Sequence, residues 1–315
     1  MDLSIVIPVY NEEESLPVLH EAIHAALKGM ARTWEVIYVD DGSRDGSIAA
    51  LEKIAAADPQ HVCVVEFRRN FGQTTAIAAG IDHARGDVIT FLDADLQNDP
   101  ADIPMMLDKL EEGYDVVSGW RKNREDNALT RNLPSNMANW LISNVTGVHL
   151  HDYGCTLKAY RREVITGFRL YGEMHRFIPV YANSVGAKIF EVPVRHHARK
   201  FGQSKYGLER TIKVILDLIA VQFLTRYSAK PIYLFGGGGI LMFLIGFLGI
   251  FFLAVRKMLI EVDILTSPIF IISVLLALMG FQSILMGLIA ELLVRTYHES
   301  QQKATYTVRK VIGRQ

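Results

Sequence analysis

Asp93 and Asp95 flank one alanine directly after the apolar run Asp87–Leu92, and Gln97 follows two positions later. Two carboxylates this close repel each other and hold on to protons unless a cation sits between them. A hard divalent ion, Mg²⁺ or Mn²⁺, removes the conflict. It takes one or two carboxylates and fills its other positions with water and substrate phosphates. Asp93, Asp95 and Gln97 are therefore candidate metal ligands for a nucleoside diphosphate site. An isolated Asp-x-Asp is more often a solvated turn; here acidic neighbours reverse that reading. Other apolar runs also end in polar or acidic residues: Pro8-Val9-Tyr10-Asn11-Glu12, Asp40-Asp41-Gly42-Ser43 and Arg69-Asn70-Phe71-Gly72.

The elements that must position these groups are legible as short apolar runs alternating with amphipathic stretches. Strands are expected at Leu3–Tyr10, Trp34–Val39, Val62–Phe67, Asp87–Leu92 and Asp115–Ser118. Helices are expected at Glu13–Leu27, Ser47–Ala56 and Thr74–Ala84. Strands apolar on both faces and separated by helices predict a mostly parallel sheet covered on both sides, a Rossmann-like α/β fold. Such folds bind ligands beyond the carboxyl ends of their strands, which brings the acidic segments onto one rim. There is no Gly-x-Gly-x-x-Gly after the first strand and no Gly-Lys-Ser/Thr loop, so dinucleotide oxidoreductase and P-loop readings lack their phosphate cradle.

Near the C-terminus, Pro231–Val255 and Ile264–Ala290 carry no charged side chain. Each exceeds the roughly 20 residues needed to cross a bilayer core, which predicts a transmembrane hairpin. Lys and Arg cluster before the first run and after the second, so the positive-inside bias places both flanks, and both termini, in the cytoplasm. The expected division is a catalytic domain over 1–200, a juxtamembrane region over 201–230 and the hairpin over 231–295. A cytoplasmic tail over 296–315 completes it. Leu208–Leu224 reads as an interfacial helix, with Leu133–Val145 and its Trp140 as a second candidate. A formal net charge of −1 gives no bulk attraction to nucleic acid. Two distant cysteines, Cys63 and Cys155, suggest a reducing compartment rather than a disulfide scaffold, and Cys155 reads as a small buried side chain.

The set Ile7-Pro8-Val9-Tyr10-Asn11-Glu12-Glu13, Val39-Asp40-Asp41-Gly42-Ser43, Arg69-Asn70-Phe71-Gly72 and Leu92-Asp93-Ala94-Asp95-Leu96-Gln97 resembles the inverting GT-A glycosyltransferases of family 2. The likeness continues through His151-Asp152-Tyr153-Gly154-Cys155 and Arg199-Lys200-Phe201-Gly202-Gln203-Ser204-Lys205-Tyr206 into the apolar pair. Over nearly the whole chain it resembles the polyprenyl-phosphate members, in particular the undecaprenyl-phosphate 4-deoxy-4-formamido-L-arabinose transferases.

The resemblance implies a bacterial inner-membrane enzyme that moves one sugar from a UDP-sugar to undecaprenyl phosphate. Glycines along the apolar pair, Gly236 to Gly239, Gly246, Gly249, Gly280 and Gly287, favour close hairpin or intersubunit packing, and a homo-oligomer such as a tetramer is expected. The resemblance implies nucleotide contacts from Pro8, Tyr10, Asn11, Glu12, Asp40, Asp41, Ser43, Asn70, Gly72, Asp93, Ala94 and Asp95. It further implies phosphate contacts, to acceptor or donor, from Arg121, Arg131, Ser135, Arg199, Ser204 and Lys205. Asp152, with Asp95, falls at the catalytic positions. The acceptor is a phosphate monoester with a second pKa near ~6, already an oxyanion at neutral pH. It has little need of a general base, so Asp152 is expected to orient the sugar or a basic residue rather than remove a proton. Two rival readings are a processive polysaccharide synthase, which needs more spans and a Gln-x-x-Arg-Trp stretch absent here, and a non-catalytic nucleotide-sugar scaffold, which leaves the acidic rim unexplained.

Overall fold

The apolar runs of the N-terminal half fold as parallel strands, and three further strands that periodicity did not disclose join them. In the computed structural model, residues 1–122, 133–166, 170, 174–198, 232–260, 267–300 and 308–313 are described. The strands are β1 (Leu3–Val9), β2 (Trp34–Asp40), β3 (Val62–Phe67), β4 (Val88–Phe91), β5 (Val116–Trp120), β6 (Lys158–Arg161), β7 (Ile189–Pro193) and β8 (Val308–Gly313). They form one sheet in the order β7-β5-β6-β4-β1-β2-β3-β8. β6 pairs antiparallel with β4 and β5, and β8 antiparallel with β3; the other pairs are parallel. The mostly parallel sheet expected from the sequence is therefore present.

Helices α1 (Leu16–Leu27), α2 (Ser47–Ala57), α3 (Gln73–His83) and α4 (Ile103–Glu111) connect the strands, and α5 covers Leu133–Thr146. Alternate residues of each strand feed opposite cores. Ile5, Ile7 and Tyr38 pack with Leu16, Leu19 and Ile23 of α1 on one face. Val6, Ile37, Val39 and Ile89 pack with Ala76 and Ile77 of α3 on the other. This two-sided burial explains why the strands read as unbroken apolar runs rather than alternating ones.

The chain divides into two units, Met1–Val221 with Ala304–Gln315, and Gln222–Lys303. The first unit corrects one expectation: residues 296–315 are not only a tail, because β8 lies among them and covers the β3 edge. That strand, Val-Arg-Lys-Val-Ile-Gly, is short and half charged, which hid it from an apolar-run search. The second unit holds two long helices, Ile232–Ile260 and Pro268–Ser300, both continuing past the uncharged runs. The later helix starts at Pro268, as suits proline at a first helical position. Phe235–Leu259 and Pro268–Ala290 are each long and apolar enough to span a bilayer. A Cβ on Gly239 would meet the Gly280 carbonyl oxygen at 2.7 Å, so bare backbone lets the two helices touch. The expected interfacial helix at 208–224 lies outside the described residues.

Candidate active site

Parallel pairing of β4, β1, β2 and β3 places their carboxyl ends on one edge, with Val9 opposite Asp40. The loops after β1 and β2 are knitted together there. Asn11 N donates to Ser43 Oγ at 2.9 Å, Arg44 N to Asn11 Oδ1 at 2.8 Å and Glu12 N to Ser47 Oγ at 2.8 Å. Asn11 takes a left-handed φ of 53°, a conformation asparagine tolerates better than most residues. Pro8 and Tyr10 flank Val9 at this same end of β1.

The paired aspartates after β2 have different fates. Asp41 accepts from Phe71 N at 2.6 Å and Gly72 N at 2.9 Å, so its carboxylate braces the loop after β3, including Asn70. Burial pushes its pKa up to about 6 despite those donors. Asp40 accepts from Ser43 N at 3.1 Å through Oδ2, while its Oδ1 is buried without a hydrogen-bond partner. Burial raises this carboxyl as well. A buried acceptor left open in a cleft is where a ligand N–H or O–H gains most, because the desolvation cost is already incurred. Gly42 sits between these loops with φ 68°, and a Cβ there would lie 2.5 Å from the Arg69 carbonyl carbon. Only glycine lets the two turns meet this closely.

Past β4, Asp93 Oδ1 accepts from Gln73 Nε2 of α3 at 3.0 Å. Burial raises the pKa of Asp93, and the neighbouring Asp95 raises it further, against the pull of Thr156, Arg121 and Lys158. Asp95 is itself buried, and its Oδ1 accepts from Gln97 N at 3.1 Å across a turn in which Leu96 has φ 61°. Two adjacent carboxylates with an unfavourable mutual charge form an all-oxygen donor set suited to a hard divalent cation. Ala94 between them is buried.

Asp152 is 1 % exposed and bound bidentately by Arg121, with Nε to Oδ2 at 2.7 Å and Nη2 to Oδ1 at 3.0 Å. Gly154 N adds a third donor at 3.1 Å. Burial works against the Arg121 charge, but the Asp152 partner outweighs it and holds the guanidinium firmly protonated. Of the residues expected around phosphate, Arg121 thus lies beside Asp152 and within electrostatic reach of Asp93. Arg131, Arg199, Ser204 and Lys205 lie outside the described residues. Ser135 falls in α5, whose backbone alone is described at that position. On the same helix Trp140 is 68 % exposed, as an interfacial anchor would be.

Several participants escaped the sequence reading. Lys158 on β6 is buried, and its Nζ donates to the carbonyls of Tyr153, at 3.2 Å, and Cys155. Burial lowers its pKa. Gln73 and Thr156 reach Asp93 from outside any recognised motif. Asp99 and Asp102 clamp the segment that follows β7, through Arg195 at 3.2 and 2.8 Å. His197 N donates to the Gln97 carbonyl at 2.8 Å, so the chain enters the 199–205 segment from a point held against the Asp93–Gln97 turn. Apart from those of Lys158, which reach back only three and five residues, these contacts join residues far apart in sequence and have no local signal. Cys155 is fully buried with its thiol pushed up to about 11 by burial, in keeping with a packing role.

Residues 4–168 match glycosyl transferase family 2, and the chain belongs to that family. It is 44 % identical over its whole length to a dodecaprenyl-phosphate galacturonate synthase of Rhizobium johnstonii, covering 94 % of that protein. It is 39 % identical to an undecaprenyl-phosphate 4-deoxy-4-formamido-L-arabinose transferase of Klebsiella pneumoniae, across 98 % of this chain and 93 % of the relative. Among solved structures, a Mycobacterium tuberculosis glucosyl-3-phosphoglycerate synthase, crystallised with Mn²⁺, UDP and phosphoglyceric acid, aligns at a TM-score of 0.54 and 20 % identity. The alignment covers 71 % of this chain and 78 % of that one. This likeness shows the fold, the GT-A form of the Rossmann-like sheet.

Proposed function

We propose that this chain moves one sugar from a UDP-sugar to the phosphate of a polyprenyl phosphate, undecaprenyl phosphate in particular, at the cytoplasmic face of the bacterial inner membrane. The observation that carries the reading is the meeting, on one rim, of the Asp93–Asp95 pair with the open Asp40 oxygen and the Arg121–Asp152 pair. Full-length similarity to two polyprenyl-phosphate sugar transferases supports the acceptor class.

In this reading Pro8, Tyr10, Asn11, Glu12, Asp40, Asp41, Ser43, Asn70 and Gly72 line the nucleoside. Asp93, Asp95 and Gln97 hold Mg²⁺ or Mn²⁺, which neutralises the departing diphosphate when bound. Arg121 directs the acceptor phosphate in line behind the anomeric carbon, with Arg131, Ser135, Arg199, Ser204 and Lys205 as further phosphate contacts. Asp152 fixes the Arg121 fork and stabilises its charge; both its oxygens are taken, which fits an orienting group rather than a base. The nucleophile is already an oxyanion, and a single displacement inverts the anomeric centre.

The apolar helices support membrane attachment. Phe247, Leu248, Phe251, Ile271, Leu275 and Leu278 are each at least half exposed, as lipid-facing side chains would be. The chain leaving the second helix returns as β8 to the sheet it left, which supports both flanks lying on one side of the membrane.

The test is purified protein in detergent with undecaprenyl phosphate, Mg²⁺ or Mn²⁺ and a panel of radiolabelled UDP-sugars. One sugar on the lipid is expected, with one donor preferred. Polymeric product would favour a processive synthase, and no transfer from any donor would favour a binding scaffold.

A further inference from the structure

At the opposite edge of the sheet from the acidic rim, three imidazoles surround one carboxylate. His20 and His24 stand one helical turn apart on α1, and Asp58 closes α2. His24 Nε2 lies 2.8 Å and His20 Nε2 3.7 Å from the same oxygen, Asp58 Oδ2. The other oxygen, Oδ1, meets His61 Nδ1 at 2.8 Å. The far nitrogen of His20, Nδ1, meets the buried Tyr38 hydroxyl at 3.1 Å. His61 is stacked on Trp34 with ring centroids 4.0 Å apart, which fixes its plane.

One carboxylate cannot balance three imidazolium charges, and the His20 and His24 rings are only 4.7 Å apart. Burial followed by His24 lowers the pKa of His20, so a neutral ring with a lone pair is favoured there. We propose that His20 Nε2, His24 Nε2 and Asp58 Oδ2 bind a borderline transition metal, Zn²⁺ by preference, leaving one position for water. Ligand atoms around tetrahedral zinc with bonds of ~2.0–2.1 Å stand about 3.3 Å apart, between the two observed separations. Tyr38 and His61 supply the outer contacts that such ligands need: Tyr38 Oη accepts from His20 Nδ1–H, and His61 steadies Asp58. Imidazole donors separate this site from the all-oxygen rim, which favours Mg²⁺ or Mn²⁺. β2 runs between them, since Trp34 opens that strand and Asp40 ends it, a span of roughly 20 Å. The bound ion ties α1 to the end of α2 and acts as a staple, independent of the proposed transfer reaction.

The experiment uses the full-length protein, stripped with chelator and held in millimolar Mg²⁺, titrated with Co²⁺ and with Zn²⁺. Wild type is expected to take up one equivalent, with visible Co²⁺ d–d bands of a four-coordinate nitrogen–oxygen site, and to melt higher with Zn²⁺ than in chelator. Asp93→Asn keeps that equivalent, His20→Gln and His24→Gln lose it, and His61→Gln weakens it by about 10- to 100-fold. On wild type alone, Zn²⁺ is expected to protect His20 and His24 from diethyl pyrocarbonate, read by mass spectrometry. Absence of saturable uptake by wild type, unprotected histidines, or an equivalent lost with Asp93→Asn and kept without His24 each overturns the proposal.

Discussion

At the scale of single residues, the Arg121–Asp152 pair decides how the acceptor end of the site is read. A buried carboxylate gripped on both oxygens is committed to its partner, and removing that partner strands a charge at a cost of about 3–5 kcal/mol. Arg121→Gln is therefore expected to lower both thermal stability and turnover, and Arg121→Lys to recover the charge but not the two-pronged contact. Asp152→Asn is expected to reduce kcat on the order of 10²-fold, the size of losing one well-placed charge-directing group. Its rate against pH should still fall as pH drops through about 6, where the acceptor monoester gains a proton. Initial rates from pH 5 to 8 for wild type and variant check this; loss of that limb only in Asp152→Asn would restore a general base.

His175 gives a second residue-scale expectation. Its Nδ1 lies 2.7 Å from Thr74 Oγ1, and burial, followed by the Arg176 and Lys158 charges, lowers its pKa to about 3. A histidine depressed below its unfolded value of about 6.5 contributes stability above that pH and loses it as pH falls toward 3. Melting temperatures of wild type should decline more steeply between pH 6.5 and 4.5 than those of His175→Gln.

At the scale of elements, the turns carry more constraint than the strands. Gly42→Ala forces a left-handed alanine, about 1–2 kcal/mol, and drives its Cβ into the Arg69–Asn70 backbone. The loops holding Asp40 and Asp41 must then part, so the variant should show a raised KM for the nucleotide sugar along with a lower melting temperature. These turns were visible in sequence as clusters of Asp, Gly, Ser and Asn after apolar runs. The strands β1 to β5 were visible because two-sided burial demands unbroken apolar stretches. β6 and β7 were not: Lys-Ala-Tyr-Arg and Ile-Phe-Glu-Val-Pro mix charge with short length, and the burial of Lys158 depends on how the turn just before it folds back to present the Tyr153 and Cys155 carbonyls. The division of labour between Asp40 and Asp41 was equally hidden, since it depends on where the Phe71 and Gly72 amides arrive. Removing residues 308–315 should expose the β3 edge, and size-exclusion of the detergent-solubilised protein is expected to show self-association alongside a lower melting temperature.

At the scale of the whole molecule, the proposed hairpin yields a labelling test. A cysteine at Asp263 is expected to react with an impermeant maleimide added to intact spheroplasts, and one at Lys303 only after permeabilisation, on a background set by half-buried Cys63. The reverse pattern would invert the topology. The pairing of β3 with β8 also has a bearing on how the protein is made. A ribosome releasing roughly 5–20 residues per second spends on the order of tens of seconds on the 240 positions between Phe67 and Val308. Throughout that interval the nascent sheet lacks its outermost strand, and the two apolar helices emerge before it. With the proposed hairpin, insertion into the lipid would precede completion of the globular fold, and any failure of the insertion machinery would leave a sticky, unsealed border for proteases and chaperones to find.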